Sequence, residues 1–67
     1  MSGSRTYSAL AVERIVRVTD KAVLVRVDGD DYWFPRSTIE DGEDIEAGHE
    51  ELDLHVQEWV LEERGLL

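Results

Sequence analysis

Residues 21–37 read KAVLVRVDGDDYWFPRS, two short apolar runs joined by Asp28-Gly29. In the first run Val23, Val25 and Val27 alternate with Ala22, Leu24 and Arg26. A period of two in β-branched residues is the mark of a strand. Asp-Gly between two such runs suits a two-residue hairpin turn, because glycine takes positive φ at little cost. In the second run Tyr32 and Phe34 share one face and Trp33 takes the other. Pro35 ends the run, since it has no N–H for a ladder. The stretch therefore predicts a β-hairpin.

Upstream, residues 9–19 (ALAVERIVRVT) also alternate. Leu10, Val12, Val16 and Val18 fall on one face, interrupted by Arg14, and Ile15 is the apolar exception on the other. With Asp20-Lys21 as a turn, residues 9–35 form a three-stranded antiparallel meander. Residues 1–8 are small and polar and read as a frayed end. Downstream, residues 36–51 hold Glu40, Asp41, Glu43, Asp44 and Glu46 with Gly42 and Gly48 between them, the composition of a solvated, mobile loop. Ser37 or Thr38 caps a short turn there, and Ile39 tucks back toward the sheet. Residues 52–67 begin as a short fourth strand (Leu52, Leu54, Val56) and continue as a helix over 56–64. Val56, Trp59 and Val60 form its inward stripe, and Trp59 is its anchor into the meander. Gly65 stops the helix and Leu66 folds back on its last turn. The expected fold is α+β: a single domain, 1–67, with a curved antiparallel meander of three or four strands and one C-terminal helix.

Composition limits the function classes. At 67 residues the chain is one small domain, and without cysteine it has neither disulfides nor thiolate metal sites. It lacks a long apolar run and the apolar centre of a signal peptide, so no membrane association and a cytoplasmic location are expected. Sixteen acids oppose seven bases, for a net charge of −9. Residues 1–27 carry +3 and residues 28–67 carry −12. Such a balance argues against direct DNA binding, which Lys and Arg drive.

The acids match no calcium-loop order, and His49 and His55 match no zinc spacing. Ser37, Thr38 and His55 assemble into no nucleophile–base pair. No catalytic residue, metal or cofactor is therefore expected. Tyr32, Trp33 and Phe34 read as core, because a small domain needs its large apolar groups inside.

Two segments carry a resemblance. Trp33-Phe34-Pro35-Arg36-Ser37 resembles a Trp-aliphatic-Pro-basic-Ser stretch, and residues 58–66 (EWVLEERGL) resemble a Glu-Trp-Leu-x-x-Glu-basic-Gly-Leu tail. Both occur, in this order, in small uncharacterised proteins of phages and other mobile elements. The resemblance spans residues 10–39 and 52–67 and implies a β-meander with a terminal helix, and no activity. Phe34 departs from the usual aliphatic residue, and the acidic insert 40–51 is an addition. For a phage-encoded chain the location becomes the host cell.

The acidic half carries the functional expectation. Carboxylates on a compact surface can imitate nucleic-acid phosphates and occupy a basic groove on a partner protein. Anti-CRISPR-like inhibitors have this size and charge. The expected contact residues are Asp28, Asp30, Asp31, Glu40, Asp41, Glu43, Asp44 and Glu46. The alternative is a small-barrel nucleic-acid-associated module using Arg14, Arg17, Arg26 and Trp33. A third reading is a halophile domain whose acidity serves solubility and whose folding needs high salt. An edge strand at 9–19 or 30–34 offers a route to a homodimer.

Overall fold

The computed structural model describes residues 6–67. Four strands form one antiparallel sheet: β1 (Tyr7–Val18), β2 (Ala22–Val27), β3 (Asp30–Pro35) and β4 (Glu50–Gln57), followed by the helix α1 (Glu58–Glu63). The spatial order is β3-β2-β1-β4. The α+β architecture expected from the alternating runs is therefore present, with four strands and one C-terminal helix.

The hairpin from residue 21 to 37 forms as its pattern dictates. Asp28 and Gly29 both have positive φ, 53° and 83°, as a two-residue turn matched to strand twist requires. The register pairs Val23 with Phe34, Val25 with Tyr32 and Val27 with Asp30. Val23, Val25 and Phe34 are fully buried. Trp33, one residue out of phase with Phe34, turns to the other face and is 44% exposed. Only part of the aromatic run is therefore core: Phe34 inside, Tyr32 half-buried against it, Trp33 outside.

β1 departs from the simple alternation. Leu10 and Val12 are buried, then Ile15. Ile15 pairs with Val25 and Val18 with Val23, and the register shifts between Ile15 and Arg17, so Val16 is the inserted residue of a bulge. The insertion lets Ile15 and Val18 both face the core although their parity differs. Ile15, the exception to the sequence pattern, is 1% exposed. A second irregularity lies opposite. Gly48 N–H donates to the Ile15 carbonyl (2.9 Å) while Ile15 N–H donates to the His49 carbonyl (2.8 Å), setting two residues against one. Gly48, at φ 97°, takes the left-handed position of this glycine bulge.

Tyr7 and Ser8 lie within β1, paired with Gln57 and Val56, so the ordered strand begins earlier than the frayed end expected for residues 1–8. Residues 1–5 of that end lie outside the described residues. β1 is paired on both sides, which removes 9–19 as an edge strand.

The helix is shorter than its expected span. β4 extends through Gln57, and α1 covers six residues. Because Val56 belongs to the strand, where it is fully buried, it does not set the phase of the helix. Val60 and Leu61 face inward at 1% exposure each, and Trp59 faces out at 48%. Trp59 is therefore not the anchor; Val60 and Leu61 are. The helix end matches the sequence pattern. Leu66 N–H donates to the Leu61 carbonyl (2.8 Å) and Gly65 N–H to that of Glu62 (3.1 Å), with Gly65 at φ 74°. These are the two bonds of a Schellman cap. The Arg64 guanidinium lies 5.6 Å from the Phe34 ring centroid, and its Nη2 donates to the Trp33 carbonyl (3.0 Å). This ties α1 to the hairpin and occupies a carbonyl of β3, an edge strand.

Candidate acidic interaction surface

The expected contact residues divide between two places. Asp28, Asp30 and Asp31 sit at the β2–β3 turn, while Glu40, Asp41, Glu43, Asp44 and Glu46 follow β3 at the far end of the hairpin. Strands of this length hold those ends about 17 Å apart. All eight residues are exposed.

The segment from 36 to 48 is not a loose solvated loop. Its backbone is tied down while its carboxylates stay outside. Arg36 is the tie: its Nε donates to the Thr19 carbonyl (2.8 Å) and its Nη1 to the carbonyls of Gly42 (2.6 Å) and Ile45 (3.2 Å). One guanidinium thus fastens the segment to the β1–β2 turn. Its fork of donors suits several carbonyls at once, where a single ammonium would not. Two short 3-10 turns, Arg36–Thr38 and Gly42–Asp44, fold the backbone. Thr38 Oγ1 donates to the Pro35 carbonyl (2.7 Å), making it the residue of the Ser37-Thr38 pair that supports the turn. Ile39 is buried, bridges to Val56, and brings Glu40 N–H onto the His55 carbonyl (2.8 Å). Part of the β4 edge is thereby covered. Gly42 is buried, and the close approach requires glycine, because a Cβ there would lie 2.2 Å from the Arg36 carbonyl oxygen. Asp41, just before it, adopts φ 57°, a conformation that Asp tolerates better than most residues.

The hairpin tip has a different setting. Glu13 Oε2 accepts from Gly29 N–H (3.0 Å) and braces the turn. Asp28 joins Glu13, Glu51 and Asp53 around an open depression floored by Val12 and Leu52. This acidic group was not foreseen in the sequence. Three of its four members lie in strands whose neighbours are fixed by the pairing of β4 with β1. Glu51 takes φ 53° between the Val12–Leu52 and Arg14–Glu50 pairs, which costs on the order of 1 kcal/mol for a residue with a Cβ.

Asp31 differs from the other expected contacts because it is already paired. Its carboxylate meets the Arg26 Nε at 2.9 Å. The hydrogen bond that Arg26 donates to Asp31, and then the charge of that carboxylate, raise the Arg26 pKa above the ordinary value. The register places Asp31, Arg26, Arg14 and Glu50 in one row across all four strands. Arg14 and Glu50 approach to 3.9 Å at its other end. The next row is Trp33, Leu24 and Arg17. Arg14, Arg17, Arg26 and Trp33 thus share the face that points away from Phe34.

Among the described residues no three His, Asp or Glu side chains converge to hold a metal. His49 lies just before β4 and His55 near its end, six residues apart in the chain. No described helix is long and apolar enough to cross a membrane.

The fold and surface define a small open-sheet α+β domain with exposed carboxylates at both ends of one hairpin. No family model, curated protein or solved structure matches the chain.

Proposed function

We propose that this chain is a non-catalytic interaction protein whose exposed carboxylates, carried on an anchored backbone, engage a basic surface on a protein partner. The observation that supports this most is the anchoring of residues 36–48. Arg36, Ile39 and Gly42 hold the backbone, while Glu40, Asp41, Glu43, Asp44 and Glu46 remain exposed. A loop kept only for solubility gains nothing from such anchoring. A binding surface does, because ordering done during folding is not repeated on association. The finer form of the proposal is that the partner is a nucleic-acid-binding complex whose basic groove the carboxylates block. It rests on the resemblance at residues 33–37 and 58–66 and on the charge.

The test replaces the five loop carboxylates together (Glu40→Gln, Asp41→Asn, Glu43→Gln, Asp44→Asn, Glu46→Gln). A partner captured from cell extract should bind the wild type with an affinity that falls steeply with salt. The variant should lose that binding and keep its thermal midpoint. Unchanged affinity removes the proposal.

A second reading draws on the shared face of Arg14, Arg17, Arg26 and Trp33. An exposed indole beside arginines suits stacking of single-stranded nucleic acid. Against it, Arg26 and Arg14 already meet Asp31 and Glu50. Binding of a labelled oligothymidylate at low salt, lost in Trp33→Ala, supports this reading; absence of any shift excludes it.

A further inference from the structure

The two tryptophans are the largest side chains in the protein, and both are outside the core. Trp59 is also held in place. Its indole N–H donates to Gln57 Oε1 (2.6 Å), and Gln57 Nε2 in turn reaches Tyr7 Oη (3.5 Å) and the Ser37 carbonyl (3.4 Å). The polar edge of the ring is thus satisfied within the protein, while about half of the residue stays open to solvent. A ring needed only to cover the core would turn inward, as Val60 and Leu61 do beside it.

Its neighbours on α1 give the open face its chemistry. Glu62 and Glu63 stand three and four residues after Trp59, on the same side of the helix, and both are exposed. Glu58 is engaged elsewhere, accepting from Ser8 Oγ (2.6 Å). Arg64, the cap residue after the helix, pairs through Nη1 with Glu63 at 3.5 Å, while its Nη2 and its flat face go to the Trp33 carbonyl and the Phe34 ring. An aromatic face flanked by two carboxylates is complementary to a guanidinium. The plane stacks on indole and its N–H groups point outward to the acids.

We infer that Trp59, Glu62 and Glu63 form a docking point for an arginine side chain of the basic partner. This rests on the reading of the protein as an acidic binder and adds to it a specific contact apart from the anchored loop. Arginine is favoured over lysine, because a planar guanidinium stacks and donates sideways together, which a compact ammonium cannot do.

The test uses an oligo-arginine peptide in a Trp33→Phe background, where Trp59 is the sole reporter. Binding should change the Trp59 emission. Trp59→Ala should weaken binding about tenfold when followed by calorimetry. Glu62→Gln with Glu63→Gln should weaken it several-fold at unchanged thermal midpoint, and oligo-lysine should bind less tightly. Unchanged affinity in Trp59→Ala, or equal binding of the two peptides, overturns the assignment. A wild-type mass that doubles with concentration and reverts in Trp59→Ala also overturns it, giving the face to a second copy of the chain. The five-carboxylate loop variant separates the two readings. If it binds like wild type while Trp59→Ala does not, the loop proposal fails and this one stands. The reverse result leaves the loop proposal standing and removes this one.

Discussion

Two acidic connections leave the ends of the β2–β3 hairpin, and they are held by different means. The Asp28-Gly29 turn is shaped locally: two residues, both at positive φ, closing a register that the flanking valines already favour. The segment from 36 to 48 is shaped from a distance. Arg36 reaches back to Thr19 and forward to Gly42 and Ile45, and Ile39 bridges to Val56. Both present exposed carboxylates, yet the first is shaped by its neighbours in sequence with one brace from Glu13, and the second needs the finished sheet. Rigidity in an acid-rich segment therefore does not follow from its composition.

That contrast can be broken most strongly at Arg36. Arg36→Ala removes three side-chain hydrogen bonds from a cation to carbonyls and should cost about 3 kcal/mol in a denaturant melt. Hydrogen exchange should rise first at the amides of Ile39–Ile45, with the β2–β3 amides unaffected. Arg36→Lys should recover less than half of the loss, since one ammonium cannot span carbonyls on both sides. Gly42→Ala comes next. Its Cβ would fall 2.2 Å from a backbone oxygen, so the segment must shift, at a cost of about 2 kcal/mol by chemical denaturation. At the hairpin, Gly29→Ala meets open space and pays only for positive φ, about 1 kcal/mol in the same melt. The smallest effect sharpens the comparison from the stabilising side. Asp28→Asn offers a better first residue for a turn with two positive φ values and should raise stability by about 0.5 kcal/mol, a small upward shift of the thermal midpoint. A destabilisation by Asp28→Asn would mean that the acid at the tip contributes to the fold and not only to its surface.

Much of the fold was legible where the determinants are local. The hairpin, the antiparallel meander and the Gly65-Leu66 helix end all rest on residues close to one another in the chain, and the inward tuck of Ile39 is legible from its being an isolated apolar residue among acids, although its partner Val56 is distant. The errors share one origin in long-range pairing. The spacing of Val56, Trp59 and Val60 predicts Trp59 inward only if Val56 is helical; pairing of β4 with β1 as far as Tyr7–Gln57 keeps Val56 in the strand and shifts the helix phase. Ile15 and Val18 have opposite parity in the sequence, and the bulge at Val16 that puts both toward the core becomes visible only against β2. Of the expected contact residues, Asp31 is diverted to Arg26 across the hairpin, and Asp28 joins Glu13, Glu51 and Asp53 only once β4 lies beside β1.

The sequence by itself determined the strand runs, the turn at Asp28-Gly29, the helix stop at Gly65 and the accumulation of charge after residue 27. Each depends on φ preference, on side-chain alternation or on counting. Tertiary structure alone decided which faces are covered, that Trp33 and Trp59 stay outside, and that the acidic segment is anchored. The physical reason is that strand register and a guanidinium's reach join residues far apart in the chain. A single inserted residue, at Val16 or at Gly48, then exchanges inside for outside.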